Sequence, residues 1–173
     1  MTSVFLSGCK NHPLSQDPNF KSENIEKTAT ILLNGNTDLT FPLFGAFEER
    51  EWSEGWNPVL IFPATEIIRE GTTFITQGHG HGEGEFTWIV NRYNPDQLLI
   101  QYLVYTGHRH WTITIKCQAV STHQTAATIT YSFTGHDELG NTISRHLLDK
   151  MYSQQLKDWE TAINTYLAKI DHP

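Results

Sequence analysis

Histidine stands out in this chain. There are nine: His12, His79, His81, His108, His110, His123, His136, His146 and His172. Two His-X-His pairs, His79/His81 and His108/His110, offer imidazole nitrogens of the kind that zinc, copper or nickel accept. Glu83 and Glu85 follow the first pair, and Asp137 and Glu138 follow His136, so carboxylates could join the imidazoles if these turns share one end of a sheet. Against a metal stands the run Gly78-His79-Gly80-His81-Gly82-Glu83-Gly84, because so many glycines do not hold ligands rigidly. We therefore assign these histidines no metal and the chain no cofactor. Without a metal, histidines can still do acid–base work near neutral pH.

Other chemistry is excluded by motif. The chain has no Gly-x-Ser-x-Gly elbow, no His-Glu-x-x-His pair and no phosphate loop ending in Gly-Lys-Ser/Thr. Cys9 and Cys117 are far apart, and neither has a second cysteine at metal-ligand spacing, so both read as free thiols. Cys117 shares the parity of Ile115 and reads as core, not as a nucleophile. Glu48-Glu49-Arg50-Glu51 reads as a solvated helix face. Arg69, Arg92, Tyr102, Tyr131 and Gln155 could orient a polar group inside a pocket, but no residue is designated as a general base.

Composition narrows the class. The 173 residues include 12 Lys+Arg and 19 Asp+Glu, a formal net charge of −7. That sign argues against nucleic acid and against an anionic membrane surface as partner. With 38% hydrophobic and 18% charged residues, the chain is neither a disordered acidic tail nor a charged coiled coil. Its length suits a single domain over 1–173. No stretch approaches the roughly 20 apolar residues of a membrane span, and the first residues lack the basic start of a secretory leader. The cytoplasm is the expected setting.

The elements that must position these groups follow from periodicity. Residues 1–27 are polar and turn-rich and read as an irregular arm, with the folded core over 28–170. Thr28 to Leu33 reads as a strand stopped by Asn34-Gly35-Asn36. Thr40 to Trp52 fits one or two short helices. From Val59 the pattern becomes period two, giving strands over Val59–Phe62, Glu66–Thr76, Phe86–Tyr93, Leu98–Tyr105, Arg109–Val120 and Thr125–Thr134. Ile143 to Ile170 repeats apolar residues at three- and four-residue steps, which predicts one helix about 42 Å long, capped by Asn141 or Thr142.

One hairpin sets the register. Thr106-Gly107-His108-Arg109 has the look of a two-residue type II′ loop. Closing it there pairs Val104 with Trp111, Tyr102 with Ile113 and Ile100 with Ile115, all on one face. Tyr131 and Phe133, together with Phe86, Trp88 and Val90, fall on that same face. His110 falls outside with Tyr105. The turns at Gly78–Gly84, Gly107-His108 and Gly135-His136-Asp137 share one end of the sheet. His79, His81, His108, His110 and His136 are thus expected to gather there, at the mouth of any cavity between sheet and helix.

This order of elements resembles the START-like (SRPBCC) superfamily with its helix-grip fold: α+β, with a curved antiparallel sheet of about seven strands wrapped round a long C-terminal helix. Phe41-Pro42-Leu43-Phe44, Glu49-Arg50-Glu51-Trp52 and Gly55-Trp56-Asn57-Pro58 look like a stretch of its bacterial polyketide cyclase/dehydrase-like branch. Thr87 to Pro95 is similar to a strand and turn of that branch, and Met151 to Leu167 to its terminal helix. The resemblance implies a hydrophobic cavity that binds lipids, sterols, polyketides or other apolar molecules, with a minority of catalytic members. On this reading an apolar small molecule would lie against Phe74, Trp88, Tyr102, Val104, Trp111, Ile113, Tyr131, Met151, Tyr152, Gln155 and Trp159. The alternatives are a cyclase- or dehydratase-like enzyme on an aromatic or polyketide substrate, helped by a mouth histidine, and a non-catalytic homodimeric interaction module with a filled core.

Overall fold

The computed structural model describes residues 17–80 and 83–170, the side chains of 79 and 80 excepted. Strand β1 (Asn24–Leu33) begins earlier than the expected Thr28, because Asn24 pairs with Thr134 and Ile25 with Phe133. Its outward residues, such as Glu26 and Thr28, are polar, which makes the start of an edge strand look like a loop. Asn36 then caps a single turn, α1 (Thr37–Thr40), its side chain accepting from the Leu39 N–H at 3.0 Å. Two 3-10 turns follow, Pro42–Phe44 and Glu48–Glu51. The region expected to hold one or two short helices is therefore three short turns. Indole N–H groups clip it in place: Trp52 donates to the Leu43 carbonyl at 2.7 Å and Trp56 to that of Ala46 at 2.6 Å.

The remaining strands are β2 (Val59–Phe62), β3 (Thr73–Gly80), β4 (Glu83–Asn94), β5 (Leu99–Tyr105), β6 (Arg109–Ser121) and β7 (Gln124–Gly135). They form one sheet in the order β1-β7-β6-β5-β4-β3-β2, antiparallel throughout. The strand expected from Glu66 starts only at Thr73. Gly71 adopts φ +84°, and the Thr72 hydroxyl donates to the Ile67 carbonyl at 2.8 Å, so the chain turns where its alternation suggests extension. In the opposite sense, β3 and β4 run further into the glycine–histidine segment than composition suggests, with Gly80 opposite Glu83.

The β5–β6 register is the expected one: Val104 faces Trp111, Tyr102 faces Ile113 and Ile100 faces Ile115. The turn chemistry differs. Neither Gly107 nor His108 takes a positive φ, so the loop is not type II′. Instead the Thr106 hydroxyl oxygen accepts from the N–H groups of His108 and Arg109, at 3.3 and 3.2 Å, and closes the turn with a side chain.

The C-terminal helix is two segments, α2 (Glu138–Tyr152) and α3 (Lys157–Ile170). Between them Gln155 and Leu156 have φ of 55° and 56°. Left-handed backbone costs about 1–2 kcal/mol per non-glycine residue, and Leu156, only 1% exposed, offsets this by turning into the core. No glycine or proline marks the break, so periodicity runs straight through it. Asp137, not Asn141 or Thr142, is the N-cap and accepts from the Gly140 N–H at 2.8 Å. Asn141 is buried and tied to the chain before β1, accepting from the Glu23 N–H and donating to the Lys21 carbonyl. α2 packs on β1, β6 and β7, and α3 on β1.

The first turn of α2 is pressed against the β5–β6 turn. A Cβ at Gly140 would lie 1.9 Å from the His108 carbonyl oxygen, whereas one at Gly107 would meet nothing within 4 Å. Gly140→Ala should therefore lower stability in urea unfolding by about 2–3 kcal/mol, and Gly107→Ala by less than about 0.5 kcal/mol. Equal losses in the two variants would contradict this packing.

Candidate functional site

Between the inner face of the sheet and the helices lies a cavity of about 320 Å³. Strand alternation puts Phe74, Trp88, Tyr102, Trp111, Ile113 and Tyr131 on its wall, and α2 and α3 add Met151 and Trp159. The rings brace one another. Phe74 stacks on Trp88 at 5.5 Å, Trp111 on Phe133 at 5.2 Å, and Trp159 meets Tyr131 edge-on at 6.4 Å. Three polar ring atoms are already satisfied. Trp88 Nε1 donates to Thr76 Oγ1 at 3.0 Å, the Tyr102 hydroxyl to the Phe44 carbonyl at 2.8 Å, and the Tyr152 hydroxyl to the Ile129 carbonyl at 3.1 Å.

The other residues proposed from sequence sit elsewhere. Val104 and Tyr152 are buried but are not part of the wall. Gln155 lies in the helix break, its side-chain amide donating to the Tyr152 carbonyl at 3.4 Å. No described histidine lines the cavity. Arg109 occupies the inward position, and alternation turns His110 outward, where its Nδ1 lies 2.7 Å from His136 Nε2. Burial first, and then His110, hold His136 below the ordinary histidine value, with Asp137 opposing them. His108 Nδ1 pairs with Asp137 Oδ2 at 2.7 Å. His79 belongs to β3, with its side chain outside the described residues, as is the whole of His81. Among the described residues no group of three or more His, Cys, Asp or Glu side chains is arranged to hold a metal ion. Burial pushes the Cys117 thiol up to about 12, which makes it inert at neutral pH.

Sequence reasoning missed two polar features of the wall. The first is a buried ion pair: Arg109 Nε donates to Glu83 Oε1 at 3.0 Å and Nη2 to Oε2 at 2.7 Å, both side chains only 2% exposed. Desolvation pushes the Glu83 carboxyl up, but the Arg109 hydrogen bond and charge and the Thr106 hydrogen bond outweigh it, leaving Glu83 below its ordinary value. The guanidinium lies 4.6 Å over Trp111 and 5.0 Å over Phe133. Arg109 Nη1 has no partner among the described residues. A charged residue at strand parity in an apolar run was the available signal.

The second is Glu49. It stands on the wall with Phe44 and Trp56 and is half-buried. No hydrogen bond to its carboxyl forms among the described residues. Burial alone pushes it from 4.5 up to about 8, so it is a neutral acid at pH 7. The hydroxyls of Tyr102 and Tyr131 are raised well above 10, by burial first and then by Glu49. The Tyr131 hydroxyl also lacks a hydrogen-bond partner among the described residues. The sequence hides Glu49 because Glu48, Arg50 and Glu51 beside it suggest a solvated face.

No protein-family model and no curated protein sequence matches the chain. Solved structures do match in fold. Norcoclaurine synthase from Thalictrum flavum superposes with a TM-score of 0.66 at 10% identity, covering 97% of this chain and 99% of that one. Mll3558 from Rhizobium loti gives 0.59 at 16% identity, covering 83% and 99%. The major latex-like protein 151 of Panax ginseng gives 0.53 at 10% identity, covering 66% and 82%. The fold is thus of the helix-grip type that these structures share. None of the described helices is long and apolar enough to cross a membrane.

Two outcomes test the electrostatics. Arg109→Met leaves Glu83 buried without its counter-charge and should cost about 3–5 kcal/mol, most of it recovered when Glu83→Leu is added; a double variant no better than the single one would contradict the pairing. For Glu49, the raised value in the folded state means that the native protein holds a proton the unfolded chain releases. Its contribution is most favourable below about pH 4.5 and is lost as pH rises toward about 8. Glu49→Gln should therefore leave the melting temperature unchanged at pH 4 and raise it by roughly 5 °C or more at pH 8.5, as calorimetry would show.

Proposed function

We propose that the protein binds an apolar or aromatic small molecule in this cavity, as a carrier, sensor or sequestering protein. The observation that carries the reading is the space itself: about 320 Å³ left open inside a wall of braced aromatic rings. A chain using Tyr and Trp only as filler would close that volume, since an empty apolar cavity lowers stability. The size falls within the roughly 300–1,000 Å³ typical of small-molecule sites. Norcoclaurine synthase, of the same fold, has been solved with dopamine and hydroxybenzaldehyde, two small aromatic molecules.

A second reading rests on Glu49. An unpartnered neutral acid on an apolar wall could protonate a substrate, as a cyclase- or dehydratase-like enzyme on an aromatic or polyketide substrate would need. Here the acid–base group would be Glu49 and not a histidine. That reading requires a product whose formation stops in Glu49→Gln.

Native mass spectrometry of the untagged protein tests the leading reading. An added mass of a few hundred daltons that leaves on denaturation is expected. Leu147 of α2 lines the cavity, and Leu147→Trp fills part of it. This variant should weaken binding of apolar ligands at least tenfold (about 1.4 kcal/mol) while unfolding near the wild-type midpoint. Binding that survives a filled cavity would place the ligand elsewhere.

A further inference from the structure

The cavity wall carries two carboxyl groups, Glu49 and Glu83, and one guanidinium, Arg109, so their charges do not match one another. Arg109 and Glu83 cancel: the guanidinium binds its carboxylate through two parallel hydrogen bonds and stacks on Trp111 and Phe133. The charge of the wall's cation is therefore neutralised, although its Nη1 keeps no partner among the described residues. Glu49 has no counter-charge. Arg50, next in sequence, is turned away into an ion pair with Glu66 at 2.8 Å. The other titratable groups set by the structure around Glu49 are Glu48 on its own turn, Tyr102 of β5 and Tyr131 of β7.

A carboxyl on such a wall stays protonated, because ionising it without a partner in an apolar space costs more than giving up its acidity. A protonated carboxyl offers one strong O–H donor. Beside it the Tyr131 hydroxyl, also unpartnered among the described residues, offers a second. Both belong to side chains of the cavity wall and have no acceptor among the described residues; the third such donor, Arg109 Nη1, belongs to a guanidinium whose charge Glu83 already balances.

Resting on the cavity-binding reading above, we propose that Glu49 is the polar anchor of the cavity, donating its acid proton in a hydrogen bond to a neutral oxygen acceptor, so that the ligand is an uncharged, flat molecule carrying a carbonyl group. A carboxylate ligand is disfavoured, because it would bring a second negative group to a wall whose cation is taken. An ammonium ligand is a different case: Glu49 would have to release its proton to solvent to form a buried ion pair, whose desolvation cost rivals its attraction. Trp56 and Trp88, crossed edge-on at 5.3 Å, present the aromatic surface against which a flat ring system rests.

Three naphthalene probes of similar shape separate these cases: 2-acetylnaphthalene, 2-naphthoate and 2-naphthylmethylamine. Calorimetric titration of the full chain at pH 7, in two buffers of different ionisation enthalpy, reads both affinity and proton exchange. The ketone should bind tightest, by at least fivefold, with no net proton exchange. Its affinity should fall at least fivefold between pH 7 and pH 9.5, as Glu49 loses its proton and with it the donor. Glu49→Gln keeps an N–H donor without the titration, so ketone binding should persist in it and lose its pH dependence, whereas Glu49→Leu should weaken it about tenfold. Preference for the amine, with release of about one proton, would overturn the proposal and leave the cavity reading intact. Preference for the carboxylate, or three equal affinities indifferent to Glu49→Gln, would do the same. If none of the three binds, the cavity reading falls and the anchor with it.

Discussion

The ion pair between Arg109 and Glu83 holds one end of this molecule together. Arg109 is the first residue of β6 and Glu83 the first of β4, so their two hydrogen bonds tie the β3–β4 and β5–β6 hairpins across the strand between them. Thr106 joins the same knot: its hydroxyl oxygen closes the β5–β6 turn and its proton goes to Glu83 Oε1 at 2.9 Å. Above the turn, Gly140 lets the first turn of α2 come within contact of the His108 carbonyl. A lone charge at this depth would be expelled or neutralised. Paired, it is compatible with burial and still leaves the cavity without net charge from this source.

That neutrality governs the chemistry of the rest of the cavity. With Arg109 committed, Glu49 experiences burial without compensation, and its acidity drops until it is a hydrogen-bond donor at neutral pH. Had the guanidinium faced Glu49 instead, the same wall would hold an ordinary carboxylate and Glu83 would be the orphan. The aromatic residues act on a different level. Indole and phenol donors of Trp52, Trp56, Trp88 and Tyr102 are each tied to a carbonyl or hydroxyl, so the rings are held at fixed positions and the space between them does not collapse. The break at Gln155–Leu156 contributes by swinging Leu156 into the core and setting α3 on its own course along β1.

Much of this was legible in the chain. Alternation of Ile100, Tyr102 and Val104 against Trp111, Ile113 and Ile115 determined a register and an inner face, because a slip of one residue would turn every aromatic outward. The same alternation foretold that His110 points away from the cavity and that Cys117 is core. The helix-grip arrangement followed from one apolar sheet face and one long apolar helical stripe that had to cover each other. Features that depend on a single backbone angle or on a partner distant in sequence were not legible. Leu156 in a left-handed conformation carries no local mark, and Asn24 becomes a strand residue only because Thr134 is there to pair with it. Glu49 and Arg109 show the limit most clearly. Each is a charged residue whose sequence neighbours suggest water, and only the folded chain decides which of them finds a counter-charge. Periodicity is a property of neighbours along the chain, so the sequence determined the faces; charge compensation is a property of neighbours in space, so the tertiary structure decided the chemistry.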